Sequence, residues 1–173
     1  MADAKIAVSQ DINSEVVHVV GGEDRAFWGP GDRYTFLVTG TSSNGACFIV
    51  HCLVPPGGGP PPHVHGRENE FFYLIDGELS VTVDGQTFEA KAGDLVTERR
   101  GVPHAYRNVG TTNASMLTIF TPAGMEGWFE EALDPAGDKV GLAPGLSQVR
   151  REGVKGVLPS HFHVLFATGS PKQ

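Results

Sequence analysis

Short runs of alternating apolar and polar residues, separated by turn sequences, recur along most of the chain. Such runs are typical of β-strands, because successive side chains of a strand point to opposite faces. The run 46–54 is long, apolar and rich in β-branched residues, which indicates a central strand. The predicted strands are 16–20, 34–39, 46–54, 71–75, 79–83, 86–90, 95–97, 104–108, 116–121 and 162–166. Many short strands of this kind favour a sandwich or barrel.

Turn sequences between the runs support the all-β prediction. Asp76-Gly77 and Asp84-Gly85 each separate two alternating runs, and Asp-Gly is a strong hairpin signal because glycine accepts a positive φ. The 173 residues include 23 Gly and 12 Pro, an excess that favours many turns and few long helices.

One segment departs from the strand pattern. In 125–133, Trp128, Phe129 and Leu133 recur near helical spacing with acidic residues between them. We expect a short helix that packs on the outside of the barrel. The same helix could cover the barrel mouth, although such aromatic residues more often attach a helix to a sheet.

The length and charge of the chain limit the number of domains and the kinds of partner that it can have. A chain of 173 residues with 40% hydrophobic and 19% charged residues is expected to form one domain over 1–173. The net charge of −7 argues against a nucleic-acid surface, and no apolar run reaches the roughly 20 residues that span a bilayer. Strand patterns continue on both sides of the Pro/Gly-rich stretch 55–62, so we do not place a domain boundary there.

The compartment is predicted from two features. The first residues lack the basic and apolar segments of a secretory signal. Cys47 and Cys52 are five residues apart, which on a strand places them on opposite faces and prevents a mutual disulfide. Buried free thiols in a reducing cytoplasm are the expected state.

Histidines supply the candidate chemistry. His63 and His65 form an i, i+2 pair, so both imidazoles project from one face of a strand. Glu70 begins the next predicted strand and His104 begins another. Three imidazoles and one carboxylate converging inside a barrel would hold a divalent transition metal. A bare His-x-His pair is nevertheless weak evidence, because a lone histidine is more often an ordinary polar residue.

The spacing of these residues resembles the two motifs of the cupin superfamily. Gly57, His63, His65, Glu70 and Gly77 match every specified position of the first motif.

The second motif is matched by Gly93, Gly101, His104 and Asn108, with Arg99 where the motif usually has proline. Fifteen residues, 78–92, separate the two motifs, which resembles the compact microbial spacing.

The resemblance implies a cupin double-stranded β-helix, or jelly roll, with a short C-terminal helix. The barrel core would span about 34–121, with an N-terminal strand extension over 1–33 and a helix and tail over 122–173. It also implies the metal ligands His63, His65, Glu70 and His104, turn roles for the motif glycines, and a structural role for Asn108. The ion would be Fe, Mn, Ni, Co, Cu or Zn, and a homodimer paired through β-strands is expected.

Other residues near the predicted site have alternative roles. Glu68 is two residues from Glu70 and could replace it as the ligand. His161-Phe162-His163 repeats the His-x-His pattern without a following carboxylate, so we expect an exposed strand face or tail. His51 has the opposite parity to the apolar residues of its strand and is predicted not to be a ligand. Arg99-Arg100 is expected to be a solvated turn, with contact to an anionic substrate as the alternative.

The predicted site suggests a reaction class. Glu70 could take a proton from a substrate hydroxyl beside the metal. Phe72 and Leu74 share the face of Glu70, and Tyr106 shares that of His104, so these three are predicted to line the substrate pocket. Packing alone would also explain their size.

The run 31–65 resembles bacterial quercetinase-like cupins, which implies a dioxygenase that uses O₂ on a flavonol-like, phenolic or enolisable molecule. The alternatives are a non-catalytic binding module and a non-oxidative isomerase or decarboxylase.

Overall fold

The computed structural model describes residues 10–13, 16–20, 25–29, 31–136 and 164–166. Nearly all of the regular structure in these ranges is β, which confirms the predicted fold class. The strands in chain order are β1 (Gln10–Asn13), β2 (Val16–His18), β3 (Ala26–Trp28), β4 (Arg33–Val38), β5 (Phe48–Val54), β6 (His63–His65), β7 (Asn69–Asp76), β8 (Glu78–Val83), β9 (Gln86–Lys91), β10 (Leu95–Glu98), β11 (His104–Asn108), β12 (Ala114–Thr121), β13 (Asp134–Pro135) and β14 (Val164–Phe166), and the helix is α1 (Met125–Ala132).

Two antiparallel sheets form the barrel. One has the strand order β10-β7-β12-β5-β4-β3-β13 and the other β14-β6-β11-β8-β9, while β1 and β2 form a separate two-stranded antiparallel sheet. The predicted central strand lies between β12 and β4 and alternates strictly between buried and half-buried residues. One hydrophobic cluster fills the space between the sheets. For example, the ring of Phe72 on β7 lies 5.8 Å from that of Tyr106 on β11.

The segment 57–59 packs directly along β11. The Gly57 N–H donates to the Asn108 carbonyl, and the Asn108 N–H donates to the Gly58 carbonyl, both at 2.9 Å. Gly59 has a φ of +126°, and a Cβ there would overlap the Tyr106 carbonyl oxygen. Only glycine therefore fits this close approach.

The motif glycines and Asn108 have the predicted structural roles. Gly57, Gly77, Gly93 and Gly101 all adopt positive φ. The Asn108 side chain donates to the Val54 and Thr112 carbonyls at 2.8 Å and accepts from the Gly110 N–H. Asn108 thus fastens the loop after β11.

Several sequence predictions changed in detail. Within the predicted N-terminal strand extension 1–33, β3 pairs with β4 and so joins the larger sheet. Within the last predicted strand, 162–166, the structure describes the backbone of 164–166 as a strand, and the side chains of 164–166 and the rest of 137–173 lie outside the described residues. The single domain over 1–173 therefore stays a prediction.

The structure bears on the predictions for the cysteines and for a membrane-spanning segment. Both cysteines are free; Cys52 is buried, whereas Cys47 is only half-buried. Among the described residues, no helix has the length and apolar character needed to cross a membrane.

Candidate metal centre

Three strands bring together the four predicted ligands. β6 carries His63 and His65 on its buried face, β7 carries Glu70, and β11 carries His104, which pairs with His63 across the ladder. One possible ligand atom from each side chain lies within 4.8 Å of the others, and all four residues are buried. Two ligands of one ion, with bonds of about 2.1–2.2 Å, stand at most about 4.4 Å apart, so only small side-chain movements are required.

Backbone carbonyls set the orientation of two rings. The Nδ1 of His63 lies 3.0 Å from the Pro61 carbonyl oxygen, and the Nδ1 of His104 lies 2.9 Å from that of Val102. Because a carbonyl can only accept, each Nδ1 carries the hydrogen. In the neutral rings Nε2 then holds the lone pair that a metal requires, as is usual for metal-binding histidines.

Glu70 lies against two of the imidazoles. Its Oε2 is 3.0 Å from His65 Nε2 and 3.3 Å from His104 Nε2. Burial raises the pKa of Glu70, but its contacts with His104 and His65 outweigh burial and hold it well below the usual range. Burial lowers the pKa of His104, yet Glu70 and Glu98 together raise it to about 9. Burial and the neighbouring His65 and His104 lower the pKa of His63 to about 3.

The donor set fits a divalent transition metal. Several of its buried polar atoms form no well-oriented hydrogen bond among the described residues, namely both ring nitrogens of His65, Nε2 of His104 and Oε2 of Glu70, although Oε2 lies within 3.3 Å of both Nε2 atoms. Buried polar atoms normally have well-oriented partners, and a cation held between these atoms would supply one. Imidazole with a carboxylate suits Mn, Fe, Co, Ni, Cu or Zn, and the geometry does not choose among them.

A second acidic residue, which the sequence analysis did not single out, lies beside this group. Glu98 ends β10, is 1% exposed, and places Oε2 3.4 Å from His104 Nε2. Burial and the charge of Glu70 raise the pKa of Glu98 to about 8, while His104 acts in the opposite direction. A signal was present in the sequence, because Glu98 has the parity of the buried Val96.

A small cavity opens onto the four residues. Its lining is Tyr34, Pro60, His63, His65, Glu70, Tyr106, Phe120, Met125, Trp128 and Phe129, and its volume is about 30 Å³. Helix α1 therefore contributes to the cavity wall, and it does not simply lie on the outer face of the barrel as we expected. The Phe129 ring also attaches the helix to the barrel, through contacts with Tyr34, Phe36, Phe48 and Phe120.

A buried carboxylate holds two tyrosines at the same cavity. Oδ2 of Asp32 accepts hydrogen bonds from the hydroxyls of Tyr106 at 2.5 Å and Tyr34 at 2.8 Å. Burial raises the pKa of Asp32 to about 6, although both hydrogen bonds lower it. Burial and the nearby Asp32 charge raise the pKa of both phenols well above the ordinary value, so they stay protonated.

The three predicted pocket residues differ in position. Tyr106 lines the cavity, as expected. Phe72 and Leu74 are fully buried on the same face of β7 as Glu70, which confirms the parity argument. They belong to the hydrophobic core, and their contact with a substrate stays a prediction.

The alternative residues lie elsewhere. Glu68 is buried beside Arg67, at 3.3 Å, and is not one of the four converging groups. His51 contacts Ser115 Oγ through Nε2 at 2.8 Å, consistent with the prediction that it is not a ligand. Arg99 and Arg100 are exposed. His161 and His163 lie outside the described residues.

Comparison with known proteins identifies relatives of several kinds. Polyketide synthase CurC from Streptomyces cyaneus is 32% identical over 92 residues, covering 53% of this chain and 60% of that protein. Tetracenomycin polyketide synthase protein TcmJ from Streptomyces glaucescens is 30% identical over 121 residues, covering 70% of this chain and 73% of that protein. Quercetin 2,3-dioxygenase from Bacillus subtilis (strain 168) is 33% identical over 86 residues, covering 46% of this chain and 26% of that protein. The chain thus spans less than two thirds of CurC and of the quercetin dioxygenase.

Solved structures share the fold at low identity. KdgF from Halomonas sp. superposes with a TM-score of 0.58 at 17% identity, covering 65% of this chain and 98% of that one. A structure described as a predicted oxalate decarboxylase from Thermotoga maritima superposes with a TM-score of 0.57 at 23% identity, covering 61% of this chain and 99% of that one. The model of the Cupin_2 family, a cupin domain, matches residues 50–120. Together with the jelly-roll sheets and the intact motif residues, these matches show that the chain belongs to the cupin family.

Proposed function

We propose that this protein is a metal-dependent dioxygenase that acts on a phenolic or enolisable small molecule. The observation that carries the proposal is the convergence of three imidazoles and one carboxylate at an aromatic-lined cavity. His63, His65, Glu70 and His104 would hold the ion. When bound, the ion would supply Lewis acidity toward an enolate or phenolate oxygen and redox chemistry with O₂.

Glu70 is the proposed catalytic residue. Its Oε2 faces the same space as the imidazole nitrogens, so it can accept the proton that a substrate hydroxyl gives up on binding. The contacts with His65 and His104 keep the carboxylate ionised, so it carries no proton of its own before the substrate binds.

The tyrosine pair is proposed to orient the substrate. Because Tyr34 and Tyr106 donate their hydrogens to Asp32, their oxygens remain as acceptors for a substrate hydroxyl. The aromatic side chains of α1 would keep water away from the substrate. A cavity of about 30 Å³ holds about one water molecule, so a flat aromatic substrate requires α1 or its side chains to move.

Oxygen consumption tests the proposal. The metal-free protein is reconstituted without air with Fe(II), Mn(II), Ni(II) or Co(II), and O₂ uptake is followed with flavonols, catechols and β-diketones. We expect uptake with at least one metal and substrate class. Glu70→Gln should reduce uptake at least a hundredfold, while the exposed Glu89→Gln should not change it. The absence of uptake with every metal and substrate would contradict the proposal.

A non-oxidative reaction is the second candidate. Two of the relatives above are named as polyketide synthase proteins, and the β-ketone groups of a polyketide are enolisable. The same metal and Glu70 would then promote isomerisation or another proton-transfer reaction without O₂. Product formed anaerobically from a β-diketone, with no O₂ consumed in air, would favour this candidate. Binding without any product would favour a non-catalytic binding module.

The homodimer and the cytoplasmic location remain predictions. Sedimentation of the purified protein at micromolar concentration would measure the first, and fractionation of the producing cells the second.

A further inference from the structure

Glu98 is a buried carboxylate to which the proposed function assigns no role. It faces the barrel interior from the end of β10, opposite Glu70 in the ladder between β10 and β7. Neither of its oxygens has a hydrogen-bond partner among the described residues, and no Lys or Arg of those residues forms an ion pair with it. An ionised carboxylate in this position is costly to bury unless a cation compensates it; without a cation it is buried in its protonated form.

His104 alone cannot supply that compensation. Its Nε2 lies 3.4 Å from Glu98 Oε2 and 3.3 Å from Glu70 Oε2, so one ring nitrogen lies between two carboxylates. Its Nδ1 donates to the Val102 carbonyl. One ring nitrogen cannot pair with both carboxylates at once. A divalent cation bound by His104 would lie near both acids and balance their charge.

We propose that Glu98 is a second carboxylate ligand of the metal centre, which makes the donor set three imidazoles and two carboxylates. The inference rests on the proposed metal site and extends it. The 3.4 Å separation from His104 Nε2 is close to the spacing of about 3 Å between adjacent ligands of one ion. Glu98 is not one of the four residues whose donor atoms all lie within 4.8 Å of one another, so its side chain would have to move toward the ion.

Two consequences follow from a second carboxylate. Two negative charges neutralise a divalent ion, whereas Glu70 alone would leave one positive charge. An additional hard oxygen donor favours Mn(II) and Fe(II) relative to the softer Cu and Zn ions.

Metal affinity and the Mn(II) spectrum test the inference without an activity assay. Metal-free wild type, Glu98→Gln and Glu89→Gln are titrated with Mn(II) and with Zn(II), and free and bound Mn(II) are followed by electron paramagnetic resonance. Glu98→Gln keeps the size of the side chain and removes its charge. We expect Mn(II) affinity to fall at least tenfold, Zn(II) affinity to fall less, and the spectrum of bound Mn(II) to change. Glu89→Gln should match the wild type.

The possible outcomes distinguish the role of Glu98 from the existence of the four-ligand metal site. Wild-type Mn(II) affinity and spectrum in Glu98→Gln would overturn the role of Glu98 and leave the four-ligand site intact. Failure of the wild type to bind either ion would overturn both. If Glu98→Gln does not fold, Glu98→Asp replaces it, because the shortened side chain should still lower Mn(II) affinity. Unchanged affinity in Glu98→Asp would then overturn the inference.

Discussion

At the residue scale, the site depends on which ring nitrogen each histidine presents. Carbonyl oxygens of Pro61 and Val102 hold the Nδ1 hydrogens of His63 and His104, so orientation is fixed by the backbone just before each histidine. Such partners preserve the tautomer that binds a metal and increase the basicity of the ligand. The proposed centre therefore depends on local chain geometry as well as on the ligands.

Loss of one imidazole should abolish tight metal binding. His104→Gln removes a ligand that lies against Glu70, and we expect divalent-metal affinity to fall at least a hundredfold. Metal content after equilibrium dialysis, measured by mass spectrometry, checks this result. His51→Gln is the matched control, because His51 contacts Ser115 outside the site. Equal loss in both variants would indicate an unspecific effect on folding.

Asp32 gives a pH-dependent prediction. Its pKa is about 6 in the folded state and 3.8 as the reference value, so between these pH values the folded protein binds a proton that the unfolded chain has lost. This group therefore lowers the free energy of unfolding as pH rises from 4 to 7, by about 3 kcal/mol at most.

The difference between wild type and Asp32→Asn measures that contribution. In urea titrations of metal-free protein, wild type should lose stability relative to Asp32→Asn between pH 4 and 7. Asp84→Asn, at an exposed turn, should show no such trend relative to wild type. A constant difference between wild type and Asp32→Asn across this range would contradict the raised pKa.

At the element scale, short and irregular pieces position the site. β6 has only three residues, yet it carries two of the proposed ligands and pairs with both β11 and β14. The Pro/Gly-rich segment that precedes β6 runs along β11. Helix α1, which follows β12 in the chain, contributes to the cavity wall. The regular strands supply the core, whereas these pieces supply the geometry around the cavity.

The segment 57–59 should be intolerant of side chains. Gly59→Ala places a Cβ against the Tyr106 carbonyl at a φ of +126°, and we expect a loss of at least about 3 kcal/mol in the free energy of unfolding. Gly85→Ala also has a positive φ but open space around it, so about 1 kcal/mol is expected. Urea denaturation compares the two, and equal losses would show that the close approach to β11 is unimportant.

The sequence predicted the long elements better than the short ones. Alternation identified β4, β5, β7, β8, β11 and β12 because each presents one face to a common core. The Asp-Gly turn before β9 indicated that strand, in which only Ala90 is buried. β3 and β13 have three and two residues and pair at the edge of the sheet, so they leave no periodic pattern. The predicted β10 ended at residue 97, one residue before Glu98.

The candidate site was predictable only where a motif exists. His63, His65, Glu70 and His104 follow cupin spacing, and the structure brings them together. Asp32 precedes β4 in a turn, and nothing in its local pattern indicates that two tyrosines enclose it. The closeness of α1 to the cavity depends on tertiary packing, which helical spacing alone does not determine.

At the scale of the whole molecule, metal binding and folding should be coupled. The four residues come from three strands of two sheets, so they converge only in the folded state. An ion that binds the folded state alone raises the free energy of unfolding by about 2.7 kcal/mol at a hundredfold excess over Kd.

Thermal unfolding with and without metal checks this coupling. We expect a higher Tm for wild type and for His51→Gln when the metal is added to chelator-treated protein. The Tm of His104→Gln should not respond. A metal-induced increase of equal size in all three proteins would place the binding site elsewhere.

Anomalous X-ray scattering from crystals grown with Mn(II), Fe(II) or Zn(II) locates the ion most directly. We predict one strong peak between the two sheets, about 2.0–2.3 Å from a ring nitrogen of each of His63, His65 and His104 and from a carboxylate oxygen of Glu70. A protein saturated with metal whose anomalous peaks all lie away from these four side chains would contradict the proposed centre.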